Sequence, residues 1–172
     1  GLNIRDASIE NLKIKSNDNC ISNFSSTIFI EGGEYSCDSH FILANGGTRN
    51  LPDVTVNTKG NSFEKYNYAA TININSGTII SENGYADNAI DLSYNIGNND
   101  GEVSQSAPVI QGGTYGVYRT NGTVNFYDGI LKGQTDAYYN SITGIPDGYD
   151  VKKGTEEIDN NEYTTAYLEP LL

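Results

Sequence analysis

The chain has 172 residues, enough for one domain with a core of its own and too few for two large ones. Its 22 Asp and Glu against 10 Lys and Arg leave a net charge of −12, a field that repels nucleic-acid phosphates and anionic lipid headgroups and so excludes both as partners. With no Met, no charged-then-apolar leader and no apolar run near the ~18 residues that cross a bilayer, it reads as a mature or excised segment without membrane insertion.

Short alternating segments recur along the chain: Leu12-Lys13-Ile14, Ile28-Phe29-Ile30, Val54-Thr55-Val56, Ile72-Asn73-Ile74, Ile90-Asp91-Leu92 and Val124-Asn125-Phe126. Each puts branched or aromatic side chains on one face and, Phe29 apart, polar ones on the other, as a half-buried strand does. No segment sustains an i, i+3, i+4, i+7 apolar stripe, so the fold class is all-β. Ile4 and residues 9–14 already have this character, which leaves open an upstream continuation of the same pattern.

A phrase also repeats: "IFIEGGEYS" at 28–36, "ININSGTII" at 72–80, "PVIQGGTYG" at 108–116 and "VNFYDGILK" at 124–132. Apolar residues precede a glycine by five and three positions, with Pro108 the one substitute, and return two positions after it. Period-two patterning broken by a repeated bend predicts a β-solenoid, here a right-handed parallel β-helix. At one coil per ~16–25 residues the chain makes roughly seven coils. The interior is expected to hold Ile28, Ile30, Val54, Val56, Ile72, Ile74, Ile90, Leu92, either Val109 or Ile110, Val124 and Phe126. Gly33, Gly77, Gly113 and Gly129 are expected at one equivalent corner with positive φ. Residues 45–52, 57–68 and 95–107 are expected to bulge as loops. A β-sandwich fits less well, because the glycine phrase is foreign to it and Asn-Gly turn signals occur only at Asn45-Gly46, Asn83-Gly84 and Asn121-Gly122.

After Gly144 the pattern changes to two antiparallel runs, 149–158 and 162–168, joined through Asp159-Asn160-Asn161, whose side chains tolerate left-handed turn geometry. Residues 1–144 are therefore assigned to the coils and 145–172 to a C-terminal hairpin that caps the exposed strand edges.

The stretch "GGTYGVYRTNGTVNFYDGILKG" at 112–133, followed by the "GY…V…GTE…YTTAYL" ending, resembles parallel β-helix repeats of the pectin-lyase-like fold in large surface proteins of Gram-positive gut bacteria. The resemblance covers residues 71–168 and concerns repeat style rather than an active-site motif. It implies an extracellular or cell-surface location, with which the Asn-, Gly-, Ser-, Thr- and Tyr-rich, Trp-free composition agrees.

Enzymes on that fold need convergent carboxylates with a basic residue. The chain has three arginines, Arg5, Arg49 and Arg119, and one histidine, His40. Asp38, His40, Asp87 and Asp91 form the candidate polar cluster, against the plainer reading of solvent-facing strand ends. No catalytic residue and no metal ligand set is assigned; calcium near Asp87, Asp91 or the Asn98-Asn99-Asp100-Gly101-Glu102 loop is the alternative to having no cofactor. Tyr115, Tyr118, Tyr127, Tyr138 and Tyr139 are candidates for stacking on sugar rings, and equally for stabilising the coils. Cys20 and Cys37 lie about one coil apart, so they either pair as a disulfide or sit as two separate buried thiols.

These features favour a non-enzymatic surface module, a rigid display or adhesin segment with glycans or host surface proteins as partners. A carbohydrate-active enzyme or carbohydrate-binding module is the alternative. Self-association through the N-terminal end is a third, so the oligomeric state stays open.

Overall fold

The computed structural model describes residues 2–5, 12–24 and 27–172. All regular structure among them is β, wound as six three-stranded coils. The coils are β1 (Leu2–Arg5), β2 (Lys13–Ser16) and β3 (Ile21–Phe24); β4 (Thr27–Glu31), β5 (Glu34–Cys37) and β6 (Ile42–Asn45); β7 (Thr48–Asn50), β8 (Val54–Thr58) and β9 (Phe63–Lys65). They continue as β10 (Ala70–Ile74), β11 (Gly77–Ser81) and β12 (Tyr85–Ala89); β13 (Leu92–Ile96), β14 (Val109–Gly112) and β15 (Tyr115–Arg119); β16 (Val124–Phe126), β17 (Ile130–Gly133) and β18 (Asp136–Tyr139). The hairpin β19 (Tyr149–Ile158) and β20 (Asn161–Pro170) follows.

Three faces result. The first is β1-β4-β7-β10-β13-β16, all parallel. The second is β2-β5-β8-β11-β14-β17, also parallel, to which β20 and then β19 add antiparallel. The third is split into two sheets, β3-β6-β9 and β12-β15-β18. At about 4.8 Å per coil the six coils stack to about 29 Å.

Alternation explains the strands. β8 and β10 read buried-exposed-buried and buried-intermediate-buried along their length. In-register stacking turns those buried positions into columns: Ile28, Arg49, Ile72, Tyr94 and Val124 on the first face, and Ile14, Tyr35, Val56, Ile79, Ile110 and Leu131 on the second. Tyr35, Phe41, Phe63 and Tyr94 run through the lumen with ring centroids 4.8, 5.9 and 5.7 Å apart, within the range where tilted and edge-on aromatic pairs attract.

Of the alternatives Val109 and Ile110, it is Ile110 that faces inward. The expected interior residues are buried with one exception. Ile90 is 39% exposed, because it precedes Asp91, whose φ of 59° turns the chain at the corner before β13 and throws Ile90 outward. The glycine corner also needs correction. Gly33, Gly77 and Gly129 share one column with φ of 89°, 95° and 105°, and a Cβ on Gly77 would stand 2.3 Å from the Val54 carbonyl of the coil beside it. Gly113 lies instead at the far end of β14 without a positive φ; the place in the glycine column there belongs to Pro108. The phrase at 108–116 is thus one strand out of step, since Tyr94 and Ile96 are the real partners of Ile72 and Ile74.

Of the three expected loops, only residues 97–107 lie outside the strands, between β13 and β14. Segments 45–52 and 57–68 contain β7 and β9, which pair in parallel with strands of the neighbouring coils. The runs Thr48-Arg49-Asn50 and Phe63-Glu64-Lys65 are only three residues long, and one points an arginine inward.

At the C-terminus the strands turn on Asp159 and Asn160, with φ of 49° and 65°, the two-residue left-handed geometry that suits a twisted hairpin. β20 adds Ala166 opposite Leu131, and Ala166 and Leu168 are fully buried. The last strand of that sheet, β19, carries Lys152, Lys153, Glu156 and Glu157, charges that discourage further pairing. Near the other end, Cys20 and Cys37 are joined as a disulfide with Cα atoms 5.5 Å apart. Of the N-terminal positions read as coil, residues 9–11 lie outside the described ones.

Candidate functional site

The outer face of β12-β15-β18 carries a tyrosine column. Tyr85 stacks on Tyr118 at 4.3 Å with planes 6° apart, and Tyr118 on Tyr139 at 4.6 Å and 10°. Tyr115 leans against all three, tilted by 55° and 59° to Tyr85 and Tyr118 and edge-on to Tyr139, at 6.0, 5.5 and 5.7 Å. Three sequence candidates, Tyr115, Tyr118 and Tyr139, are therefore brought together; Tyr127 lies after β16, and Tyr138 packs partly on the core beneath Lys153, whose Nζ is 4.5 Å from its ring. Tyr85 was missed by sequence reasoning, although it opens β12 as its register partner Tyr115 opens β15.

Because the stacked rings cover one another's faces, the column presents ring edges and hydroxyls rather than a row of flat platforms. Burial, then the neighbouring Tyr118, Tyr115 and Glu64, pushes the Tyr85 hydroxyl above the ordinary tyrosine value.

The four polar candidates are not gathered. Asp38 sits exposed after β5, 3.2 Å from Lys59. His40, two residues on, places Nδ1 against the Asn61 carbonyl and its backbone N–H on Asn19 Oδ1. Asp91 occupies a corner, where Lys65 Nζ approaches to 2.5 Å and Asn121 also donates. The hydrogen bond from Lys65 is the main cause holding the Asp91 carboxyl below its usual value, against an opposing burial effect. Asp87 is fully buried within the lumen. Arg119 donates to the Ser141 carbonyl and hydroxyl at 2.6 and 2.7 Å, Arg49 is buried and donates to Gly46 O, and Arg5 is on β1.

In the 97–107 loop, the Asp128 carboxylate accepts the N–H groups of Ser104 and Gln105 at 2.9 Å, and Asp100 accepts that of Glu102 at 3.0 Å. These bonds give the acidic loop a turn role. Among the described residues no group of three His, Cys, Asp or Glu side chains is placed to hold a metal ion.

A groove of about 350 Å³ crosses the strands of the second face and ends under the hairpin tip. Its floor is the outward row Ser36, Asn57, Ile80 and Gln111, one residue from each of four successive coils. Asp38, Lys59 and Glu82 line one side, and Asp159, Asn161 and Tyr163 close the end, where Tyr163 Oη accepts from Gln134 at 3.1 Å. Hydroxyl, amide and carboxyl groups in a row of this kind suit hydrogen bonding to an extended polyhydroxylated ligand.

Side-chain ladders run in the same direction on the first face. Asn73 donates to Asn50 at 2.8 Å, Asn95 to Asn73 at 2.8 Å and Asn125 to Asn95 at 2.9 Å, so one amide chain ties four coils. Such ladders are characteristic of in-register parallel stacking. No protein-family model, curated protein or solved structure matches this chain.

Proposed function

We propose that this chain is a non-enzymatic, rigid segment of an extracellular surface protein, a solenoid of the pectin-lyase-like kind in a Gram-positive gut bacterium, that holds binding faces at a fixed distance from their anchor. The observation that carries this reading is the Asn50–Asn73–Asn95–Asn125 ladder. Outward side chains that bond coil to coil stiffen a stack whose coils otherwise meet only their neighbours. The tyrosine column does the same on the third face. The carboxylates Asp38 and Asp91, each held by a lysine on a different corner, suit surface anchoring more than acid–base chemistry, which needs both groups at one reacting bond.

The groove on the second face favours a second reading, that the display segment itself binds a glycan or a host surface glycoprotein there. The experiment is incubation with pectin, polygalacturonate and mucin glycans, with and without calcium, read by product analysis and by a glycan array. The proposal expects no new reducing ends or unsaturated products. Turnover abolished by Asp91→Asn overturns it in favour of an enzyme, and array binding weakened by Asn57→Ala and Gln111→Ala places a glycan in the groove.

A further inference from the structure

The first and second faces are continuous sheets through every coil, whereas the third is interrupted between β9 and β12. Side chains bridge that gap. Asn61 Oδ1 accepts the Tyr85 N–H at 2.8 Å, and Glu64 Oε1 accepts from Asn61 Nδ2 at 2.7 Å and Asn88 Nδ2 at 3.0 Å. One backbone bond accompanies them, Ser62 N–H to the Tyr85 carbonyl at 3.2 Å.

Just inside this seam is Asp87. It is in register with the fully buried Val117, it has no exposed surface, and no donor among the described residues reaches either of its carboxyl oxygens. The elements packed on β12 offer no cation to it. On β9, Glu64 takes the amides just named and Lys65 goes to Asp91. Tyr94 of β13 donates its hydroxyl to the Asn88 carbonyl at 3.0 Å. On β15, Tyr115 and Tyr118 belong to the outer column and Arg119 is held by Ser141, while β11 and β14 carry no titratable side chain.

We propose that the gap between β9 and β12 is a proton-controlled seam: with Asp87 uncharged the two sheets close over the lumen, and ionisation of Asp87 opens the third face locally. A charged carboxylate without a protein donor is intolerable in an apolar lumen, and the weakest boundary near it is the one held by side-chain amides. Burial pushes the Asp87 carboxyl well above its ordinary value of 3.8. For a carboxyl shifted upward, the uncharged folded form is fully favoured below the ordinary value and loses ground as pH rises towards the folded value. Closure thus belongs to acidic conditions and opening to the rise in pH.

The test is amide hydrogen exchange of the intact chain from pH 4 to pH 8, corrected for intrinsic exchange, comparing residues 63–65 and 85–89 with β4 and β5. Linkage to one proton predicts that the opening constant of the seam rises by up to about tenfold per pH unit over part of this range, while β4 and β5 stay flat. In Asp87→Asn, which keeps the shape and cannot ionise, the seam should be flat as well; Asp87→Leu serves the same purpose should the amide variant fail to fold. Seam protection independent of pH in the parent, the same slope in the variants, or an equal loss in β4 and β5 would each overturn the proposal.

Discussion

Removing the middle of the asparagine ladder should cost about twice as much as removing its end. Asn73 both donates to Asn50 and accepts from Asn95, whereas Asn125 makes one ladder bond, to Asn95. A typical intramolecular hydrogen bond contributes a net of about 0.5–1.5 kcal/mol, so Asn73→Ala should lose about 1–3 kcal/mol and Asn125→Ala about half of that. In a domain of this size each kcal/mol is about 2–4 °C in melting temperature. Urea unfolding followed by far-ultraviolet circular dichroism gives the free energies directly. A double-mutant cycle adds a sharper requirement. Asn50→Ala with Asn73→Ala should cost less than the sum of the two by the energy of their shared bond, while Asn50→Ala with Asn125→Ala, which share no partner, should add within about 0.5 kcal/mol. Equal losses at positions 73 and 125, or strict additivity of the 50/73 pair, would refute the ladder as a stabilising element.

Three further outcomes are expected. Ile74→Asp should abolish the β circular-dichroism signature, because Ile74 has no exposed surface and the carboxylate would be buried unpaired. Gly77→Ala should destabilise far more than Gly148→Ala in denaturant titrations: both glycines have positive φ, 95° and 82°, but the added Cβ meets the Val54 carbonyl at 2.3 Å in the first and nothing within 4 Å in the second. Replacing both Cys20 and Cys37 by Ser should cost about 3 kcal/mol in equilibrium unfolding, the loop-closure entropy for a sequence separation of 17.

The coils were legible wherever a strand carried two apolar residues, one on either side of a residue that faces out. Ile28/Ile30, Val54/Val56, Ile72/Ile74 and Val124/Phe126 announce the interior because each pair brackets a residue that faces out, polar in every case but Phe29. β7 and β9 gave no such signal. Neither Thr48-Arg49-Asn50 nor Phe63-Glu64-Lys65 has two apolar residues around a polar one, and Arg49 reverses the expected polarity by pointing into the lumen, where its stem fills a column between Ile28 and Ile72. Asp87 is hidden for the same reason. Its apolar surroundings are assembled by stacking distant coils, and a carboxyl flanked by Ala86 and Asn88 looks like an ordinary surface residue in one dimension. Ile90 errs the other way, since a left-handed Asp91 at the corner shifts the alternation by one. The tyrosine column was visible in part, as Tyr115, Tyr118 and Tyr139, but that its rings face one another depends on register between coils, which no local pattern encodes.

The coil-on-coil register underlies the ladders, the groove and the seam alike, and a pair of engineered cysteines tests it most directly. Thr55 and Thr78 are register partners on the outer side of β8 and β11, and adjacent strands lie about 4.8 Å apart, inside the roughly 4.4–6.8 Å Cα separation that a disulfide spans. Mild oxidation of Thr55→Cys/Thr78→Cys, or treatment with a short thiol-bridging reagent, should join these two positions, as peptide mapping by mass spectrometry would show. Thr55→Cys/Val109→Cys, two coils apart, should stay unjoined. Linkage of the second pair and not the first would contradict the parallel six-coil stack.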